Sequence, residues 1–311
     1  MRRVIIVLIM LIILFALSNL SAQKAYKVKD KQLDEISGIA ASRAYPDMYY
    51  VHNDSGGKSE LYLIDGKGKT KAVLSLEGIV NRDWEDIAVG PGPHPTNYIY
   101  IGEIGDNQAK YPNYCLYRLM EQSWRFGEAK LDFKDSTGSV IAKYRSLKSY
   151  WKFFSDMSRV EPVDSLGFIY EDGPKDCETL MIDPANGDVY LVSKREVKVG
   201  VYQIKAPLST DSLNVAKRIL SLDFPFAVGG DISPQRDKII IKTYNKIYQW
   251  KINPGQSIAE ALSGPYENLP YKVEPQGEAI CYSADGKSYL TISEKNKKKP
   301  LYFYKYDLAE Q

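Results

Sequence analysis

The sequence predicts an all-β protein built from repeated antiparallel modules, and three observations support this. Similar segments recur along the chain, each with an apolar run, a polar turn and a second β-rich run. An aliphatic residue followed by tyrosine recurs after each of these segments. Tyrosine is abundant, with 24 residues among 311, and aromatic side chains fit the pleated surface of strands.

Five polar turns define the repeat. Three segments set the frame, "CETLMIDPANGDVYLVSK", "VGGDISPQRDKIIIK" and "GEAICYSADGKSYLTIS", and two earlier segments of the same kind fit it. The turns begin at Ser42, Gly90, Asp183, Ser233 and Ser283, which gives spacings of 48, 93, 50 and 50 residues. A period of about 50 residues with several short strands is typical of β-propeller blades. We therefore predict a β-propeller of four-stranded blades, five in number, with six blades as the alternative.

Each module is expected to supply strands a to d, from the central axis outward. The aliphatic-tyrosine pair marks strand c, at Tyr62, Tyr117, Tyr202, Tyr248 and Tyr302. Candidates for the outer strand d are Lys71–Leu76, Gly167–Glu171, Ala216–Leu222 and Glu267–Val273. The fifth module has no residues left for strand d, so Ala25–Asp30 is expected to close the ring. Closure by the N-terminal strand would remove an exposed sheet edge.

The spacing of 93 residues exceeds the period by 43 residues. We interpret the excess, residues 121–165, as an insertion inside the second blade, and a degenerate sixth blade is the alternative. The stretch "VIAKYRSLKSYWKFF" within it fits either a hairpin or a short helix.

The N-terminus has the pattern of a secretory signal peptide. Arg2 and Arg3 precede the 14-residue apolar run Val4–Leu17, and small residues follow, with a cleavage site expected after Ala22. The run is short for a membrane span, although an uncleaved anchor is the alternative. We expect residues 1–22 to be removed. The remaining propeller domain, residues 23–311, would be periplasmic or extracellular, with no membrane span after signal cleavage.

Charge and cysteine content exclude several classes of protein. Without Arg2 and Arg3 the chain has 39 basic and 39 acidic residues, so nothing indicates a nucleic-acid partner. Cys115, Cys177 and Cys281 form neither a disulfide framework nor a zinc-binding pair. We expect a monomer whose partner is a small polar ligand or a protein of the cell envelope.

One position of strand a is repeatedly acidic. Five residues before each turn stand Ser37, Glu85, Glu178, Val228 and Glu278, which we call the slot residues. Apolar residues follow each of them and are expected to pack in the ring. The start of strand a and the end of strand b meet on one face of a propeller. The glutamates are therefore expected at the mouth of the central channel.

The ends of the b strands bring further polar side chains to this face. We predict ligand-binding roles for His52, Asn53, Asp54, Glu103, Asp106, Asn107, Lys194, Tyr244 and Glu294. Converging carboxylates repel one another unless something compensates them. Compensation can come from a hard cation such as Ca²⁺, from lysine partners, or from raised pKa values with acid–base use. Glutamates that only cap backbone amides between blades are a further alternative.

The segments "LDEISGIAAS", "DWEDIAVGP", "IGEIGDN", "CETLMIDPANGDVYLVSK" and "QGEAICYSADGKSYLTIS" resemble a group of secreted bacterial β-propeller proteins described as phytase-like esterases. Propeller phytases are similar in architecture and bind calcium in an acidic channel. The resemblance implies that Glu85, Glu178 and Glu278 are candidate calcium ligands. Ser37 and Val228 depart from this pattern. Gluconolactonase-like propellers, with glutamate, asparagine and aspartate on one divalent metal, are a second analogy.

Two functions follow from these expectations. The first is an exported binding or scaffold module of the cell envelope, whose acidic funnel holds a divalent cation or a small polar ligand. The alternative is a calcium-dependent hydrolase of phosphate esters or lactones. In that case the metal would polarise the substrate, and one of Glu85, Glu178 and Glu278 would activate water.

Overall fold

The computed structural model describes residues 23–121, 130–134, 139–146, 163–295 and 299–308. The expected signal peptide, residues 1–22, lies outside these ranges. The described residues form strands and one short helix, α1 (Ile258–Leu262). The strands are β1 (Gln23–Lys27), β2 (Ile36–Ala41), β3 (Met48–Asn53), β4 (Glu60–Asp65), β5 (Thr70–Leu76), β6 (Trp84–Pro91), β7 (Asn97–Glu103), β8 (Tyr114–Met120), β9 (Lys130–Lys134), β10 (Val140–Ser146), β11 (Asp164–Tyr170), β12 (Cys177–Ile182), β13 (Val189–Ser193), β14 (Val199–Ile204), β15 (Asn214–Leu222), β16 (Ala227–Ile232), β17 (Lys238–Thr243), β18 (Ile247–Lys251), β19 (Tyr266–Leu269), β20 (Ala279–Tyr282), β21 (Ser288–Ile292) and β22 (Tyr302–Asp307).

The inner strands β2, β6, β12, β16 and β20 surround a central axis. Each contacts the next in this order, and β20 contacts β2, so the contacts close into a cycle. Each inner strand begins an antiparallel series that runs outward from the axis. Sheets arranged radially around an axis in this way are a β-propeller, as the sequence predicts.

The outward series differ in how their outer strands pair. One runs β2-β3-β4-β5 and another runs β16-β17-β18-β19. The series β6-β7-β8-β11 and β12-β13-β14-β15 join into one eight-stranded sheet, because β11 pairs in parallel with β15. The series β20-β21-β22 is completed by the N-terminal strand β1, in which Gln23 lies opposite Tyr306. The N-terminal strand therefore occupies an outer position, slightly earlier in the chain than expected.

In chain order the expected insertion lies between β8 and β11 of the second series, but its described strands pair with another sheet. Its strands β9 and β10 form a hairpin, and β10 pairs with β5, with Ala142 opposite Leu76. The hairpin thus extends the sheet that begins with β2, where β5 would otherwise be an open edge. Residues 122–129, 135–138 and 147–162 of the region lie outside the described ranges.

Large side chains fill the spaces between neighbouring sheets. Tyr100, Phe168, Leu180 and Tyr202 are fully buried together between the sheets that begin with β6 and β12. Burial of each such side chain contributes about 1.5–3 kcal/mol to stability. Neighbouring sheets are therefore held mainly by apolar contact.

Buried aspartates add polar links between inner strands. The carboxylate of Asp86 on β6 accepts a hydrogen bond from the backbone N–H of Leu180 on β12, at 2.9 Å. Its other oxygen accepts the N–H of Ile87, also at 2.9 Å. In the same way, Asp231 on β16 accepts the N–H of Tyr282 on β20 at 2.9 Å. Each aspartate thus accepts a backbone N–H from the inner strand of the neighbouring series, which links the two strands.

The substitution Asp86→Ala tests this link. It leaves the Leu180 N–H buried without its acceptor, so we expect unfolding free energy to fall by about 1–3 kcal/mol in urea titrations. Asp86→Asn keeps one carbonyl oxygen and should lose less. Equal stability of wild type and Asp86→Ala would show that Asp86 does not link the inner strands.

Candidate functional site

The slot residues coincide with irregularities in the inner strands. In four inner strands, the pairing register skips one residue near the start, and the skipped residues are Ser37, Glu85, Glu178 and Val228. The fifth slot residue, Glu278, directly precedes β20. A β-bulge changes the direction of a side chain relative to the sheet. The backbone thus turns each slot side chain away from regular strand alternation.

The three slot glutamates are buried and close enough to interact. Glu85, Glu178 and Glu278 are only 4%, 3% and 5% exposed. Lys194, at the end of β13, forms an ion pair with Glu178, and its Nζ lies 3.8 Å from Glu278 Oε1. Tyr244 donates a hydrogen bond to Glu278 Oε1 at 2.9 Å. Lysine compensation, one of the alternatives left open by the sequence, therefore applies to two of the three glutamates.

Glu85 also belongs to a second group of carboxylates, Asp54, Asp83 and Glu85, which we call the triad. One oxygen from each carboxylate lies within 4.8 Å of the others. The three residues come from the turn after β3, the segment before β6, and β6 itself. Ser37 Oγ donates to Glu85 Oε2 at 3.4 Å. The triad therefore gathers oxygen ligands on one side of the funnel.

Gly105 leaves the space that the triad occupies. A Cβ atom at this position would lie 2.2 Å from Glu85 Oε1 and 2.6 Å from Asp83 Cγ. Its backbone N–H also donates to the carbonyl oxygen of Asp83, at 3.2 Å. Any larger residue here would displace the carboxylates.

Burial and mutual repulsion make the funnel carboxylates easy to protonate. Burial, reinforced by Glu178 and Asp54, raises the pKa of Glu85 well above its ordinary value. Burial also raises the pKa of Asp54 to about 6 and, together with repulsion from Glu278, that of Glu294 to about 7. A cation placed among these groups would favour their ionised forms, so the site attracts protons or a metal ion.

One carboxylate oxygen of Glu178 accepts no hydrogen bond from the described residues. Within the described part of the chain, its Oε2 atom is buried and has no hydrogen-bond partner. Burial raises the pKa of Glu178 well above its usual range, although Lys194 opposes the shift. The side chain therefore has one oxygen committed to Lys194 and one still available.

The structure places His52 in the interior and joins Asn53 to the segment before β2. The His52 side chain is fully buried and lies edge-on to Trp84, with ring centroids 5.7 Å apart. Burial lowers the pKa of His52 to about 4, so the ring is neutral. Asn53 donates from its side chain to the carbonyl oxygen of Gln32 at 2.6 Å. These contacts stabilise loops.

Glu103, Asp106 and Asn107 also act through neighbours. Glu103 accepts the backbone N–H groups of Arg82 and Asp83, at 3.1 and 2.6 Å, and so fixes a triad member. Asp106 accepts the N–H of Tyr111 at 2.8 Å, which shapes its loop. Asn107 accepts a hydrogen bond from Arg195. Asp54, Lys194, Tyr244 and Glu294 are the predicted ligand-binding residues that the structure brings to the carboxylates.

Sequence reasoning missed Asp83 and a buried pair beside the funnel. Asp83 stands two residues before a slot glutamate, and that proximity was the signal available. Lys242 is fully buried, donates to the Gly277 carbonyl oxygen, and lies 4.9 Å from the Tyr271 ring centroid. Burial, partly offset by Glu274, lowers the pKa of Lys242 to about 8. Glu274 belongs to a loop with no counterpart in the repeat, so the pattern gave no sign of it.

Comparison with known proteins does not assign the chain to a family. No family model matches the chain, and no curated protein matches it. Among solved structures, the search matches the WD40 domain of Pan2 from Neurospora crassa, with 10% sequence identity and a TM-score of 0.35. The match covers 91% of this chain and 67% of that domain. Within the described residues, no helix has the length and apolar character needed to cross a membrane.

The raised pKa of Glu294 predicts a pH-dependent effect of Glu294→Gln. The folded-state pKa is about 7 against an ordinary 4.5, so folding takes up a proton between these values. Stability from this group is present below about pH 4.5 and is lost as the pH rises through 7. In chelator, Glu294→Gln should therefore melt increasingly higher than wild type from pH 5 to pH 8. A difference in melting temperature that stays constant with pH would contradict the assignment.

Proposed function

We propose that this protein is an exported binding module whose funnel holds a divalent cation at Asp54, Asp83 and Glu85. We further infer that the propeller has five blades. Support comes from the cyclic contacts of the five inner strands. Each begins a four-stranded series once the eight-stranded sheet is divided at its parallel pair and the added hairpin β9–β10 is set aside. Export rests on the basic and apolar N-terminal pattern.

The triad is the observation that carries the cation proposal. Three carboxylates from two separate segments, the turn after β3 and residues 83–85, approach within 4.8 Å although their charges repel one another. Lys194 is already engaged with Glu178 and Glu278, so its ammonium group does not fully neutralise the triad. Carboxylate oxygens in a flexible arrangement are ligands that Ca²⁺ accepts readily, with further positions left for water or a ligand. The unpartnered Oε2 of Glu178 is an additional acceptor in the same funnel.

The binding role follows from the open positions of such a site. A calcium ion with six to eight ligands would keep several of them for groups outside the protein. A small polar ligand with anionic or carbonyl oxygens could complete the shell, whereas the protein supplies the fixed carboxylates. The cation would then serve both to stabilise the funnel and to hold the ligand.

Hydrolysis is a second candidate, favoured by Glu294. The pKa of Glu294, about 7, suits a general base at neutral pH. The charges of the nearby Glu278 and Asp54 help to raise this pKa. On this view the cation polarises a phosphate ester or a lactone, as the resemblance to phytase-like esterases implies. Turnover of a phosphoester or lactone panel that is lost in Glu294→Gln, with calcium binding retained, would support hydrolysis. If neither panel is turned over in the presence of calcium, hydrolysis is rejected and the binding role is the candidate that is left.

Calcium should stabilise the protein against heat. A ligand that binds only the folded state raises the unfolding free energy, by about 2.7 kcal/mol at a concentration 100 times Kd. We expect a higher melting temperature in Ca²⁺ than in EDTA. Asp83→Asn should abolish the difference, whereas Asp211→Asn, an exposed aspartate outside the funnel, should preserve it. An unchanged melting temperature in Ca²⁺ would refute the cation site.

The substitution Gly105→Ala tests the site without removing any ligand. The added Cβ meets the end of a flexible side chain, Glu85, so the fold should survive while the carboxylates move. We expect calcium affinity, measured by titration calorimetry, to fall at least tenfold. Native-like circular dichroism together with unchanged affinity would show that Gly105 does not shape the site.

A further inference from the structure

Four exposed apolar side chains lie in the loops of the funnel face. Val80 is 73% exposed, Val197 83%, Phe226 46% and Val273 61%. Val80, Phe226 and Val273 precede the inner strands β6, β16 and β20, whereas Val197 follows β13. Because inner strands begin and their neighbours end on this face, all four belong to the rim of the funnel. We call them the apolar rim.

The apolar rim is joined directly to the acidic funnel. The backbone N–H of Phe226 donates to the carbonyl oxygen of Lys194 at 2.8 Å. The Phe226 ring lies 6.4 Å from that of Tyr244, whose hydroxyl donates to Glu278. Beside Val80, the Asn81 side chain donates to the backbone oxygen of Asp54 at 2.8 Å. Phe226 and the segment of Val80 are thus tied directly to the acidic groups.

Phe226 combines an exposed ring with an unfavourable backbone conformation. Its φ angle is +61°, in the left-handed region that bulky residues rarely occupy. Glycine would adopt this conformation without strain, and a buried ring would normally offset the cost. Here the ring is nearly half exposed. A strained residue that presents an aromatic ring to solvent points to a role in binding.

We propose that the funnel face docks a polypeptide segment in which a lysine or arginine is flanked by apolar side chains. The basic group would enter the acidic funnel by charge complementarity, and its neighbours would cover the apolar rim. Loops from several series around the axis contribute to the rim, so an occupant that reaches them must be extended. Exposed apolar groups around a polar centre are typical of protein–protein contact sites. The proposal goes beyond cation binding and does not depend on it, and a bound cation would compete with the basic group for the same carboxylates.

Selection of peptides tests the proposal without a known partner. The full mature chain would be immobilised in EDTA and used to select from a phage-displayed library of random dodecapeptides. We expect enriched peptides to carry a basic residue next to apolar ones. A synthetic copy should bind less tightly as salt rises, because its charge pairs with the partly exposed carboxylates Asp54 and Asp83 are screened. Replacement of its basic residue by glutamine should weaken binding at least tenfold.

Substitutions in the rim locate the contact. Phe226→Ser and Val197→Ser should each weaken binding of the synthetic peptide at least fivefold. Leu213→Ser is the matched control, because Leu213 is 53% exposed but precedes β15, whose start lies on the opposite face. Phe226→Gly should weaken binding and raise the melting temperature, since it removes strain along with the ring.

Several outcomes would overturn the proposal. These are selection of no peptide, selection of peptides without basic residues, and binding that the rim variants leave unchanged. Acidic peptides that bind only with Ca²⁺ would show instead that the metal itself holds the partner. A melting shift in Ca²⁺ without peptide binding would reject docking alone. Peptide binding without a calcium shift would reject only the cation site.

Discussion

Buried carboxylates around one axis are the constraint on which the rest of the funnel depends. Glu85 and Glu178 lie at bulges near the start of inner strands, Glu278 directly precedes β20, and the three carboxylates are close enough for their charges to interact. Burial of several like charges is unfavourable unless each finds a proton, a cation or a hydrogen-bond donor. The surrounding residues can be understood by how they meet this requirement.

The funnel compensates its buried carboxylates in two different ways. On one side, Lys194 and Tyr244 compensate Glu178 and Glu278 with groups from the protein itself. On the other, Asp54, Asp83 and Glu85 approach one another, and Gly105 leaves the room they need. Glu103 accepts the Asp83 N–H and so helps to fix this arrangement. The asymmetry suggests that the first side is structural and the second is reserved for a cation, around which a binding surface extends.

Repetition made the ring and the slot predictable from the sequence. Counting back from the turns located five residues, four of which the structure places at bulges, although no propensity rule identifies a bulge itself. The pairing of the β9–β10 hairpin with β5 could not be predicted, because sequence order gave no sign of it. The approach of Asp83 to Asp54 and the hydrogen bond from Lys242 to Gly277 could not be predicted from the pattern, since both join separate segments. His52 looked like a loop ligand, yet packing against Trp84 places it in the interior.

The central claim is that the triad holds a divalent cation, and diffraction from a crystal grown with calcium tests it most directly. Our account predicts an anomalous difference peak about 2.3–2.6 Å from a carboxylate oxygen of Asp54, Asp83 and Glu85. The peak should disappear in Asp83→Asn. A map from a calcium-containing crystal with no peak in the funnel, or with one only at the protein surface, would contradict the account.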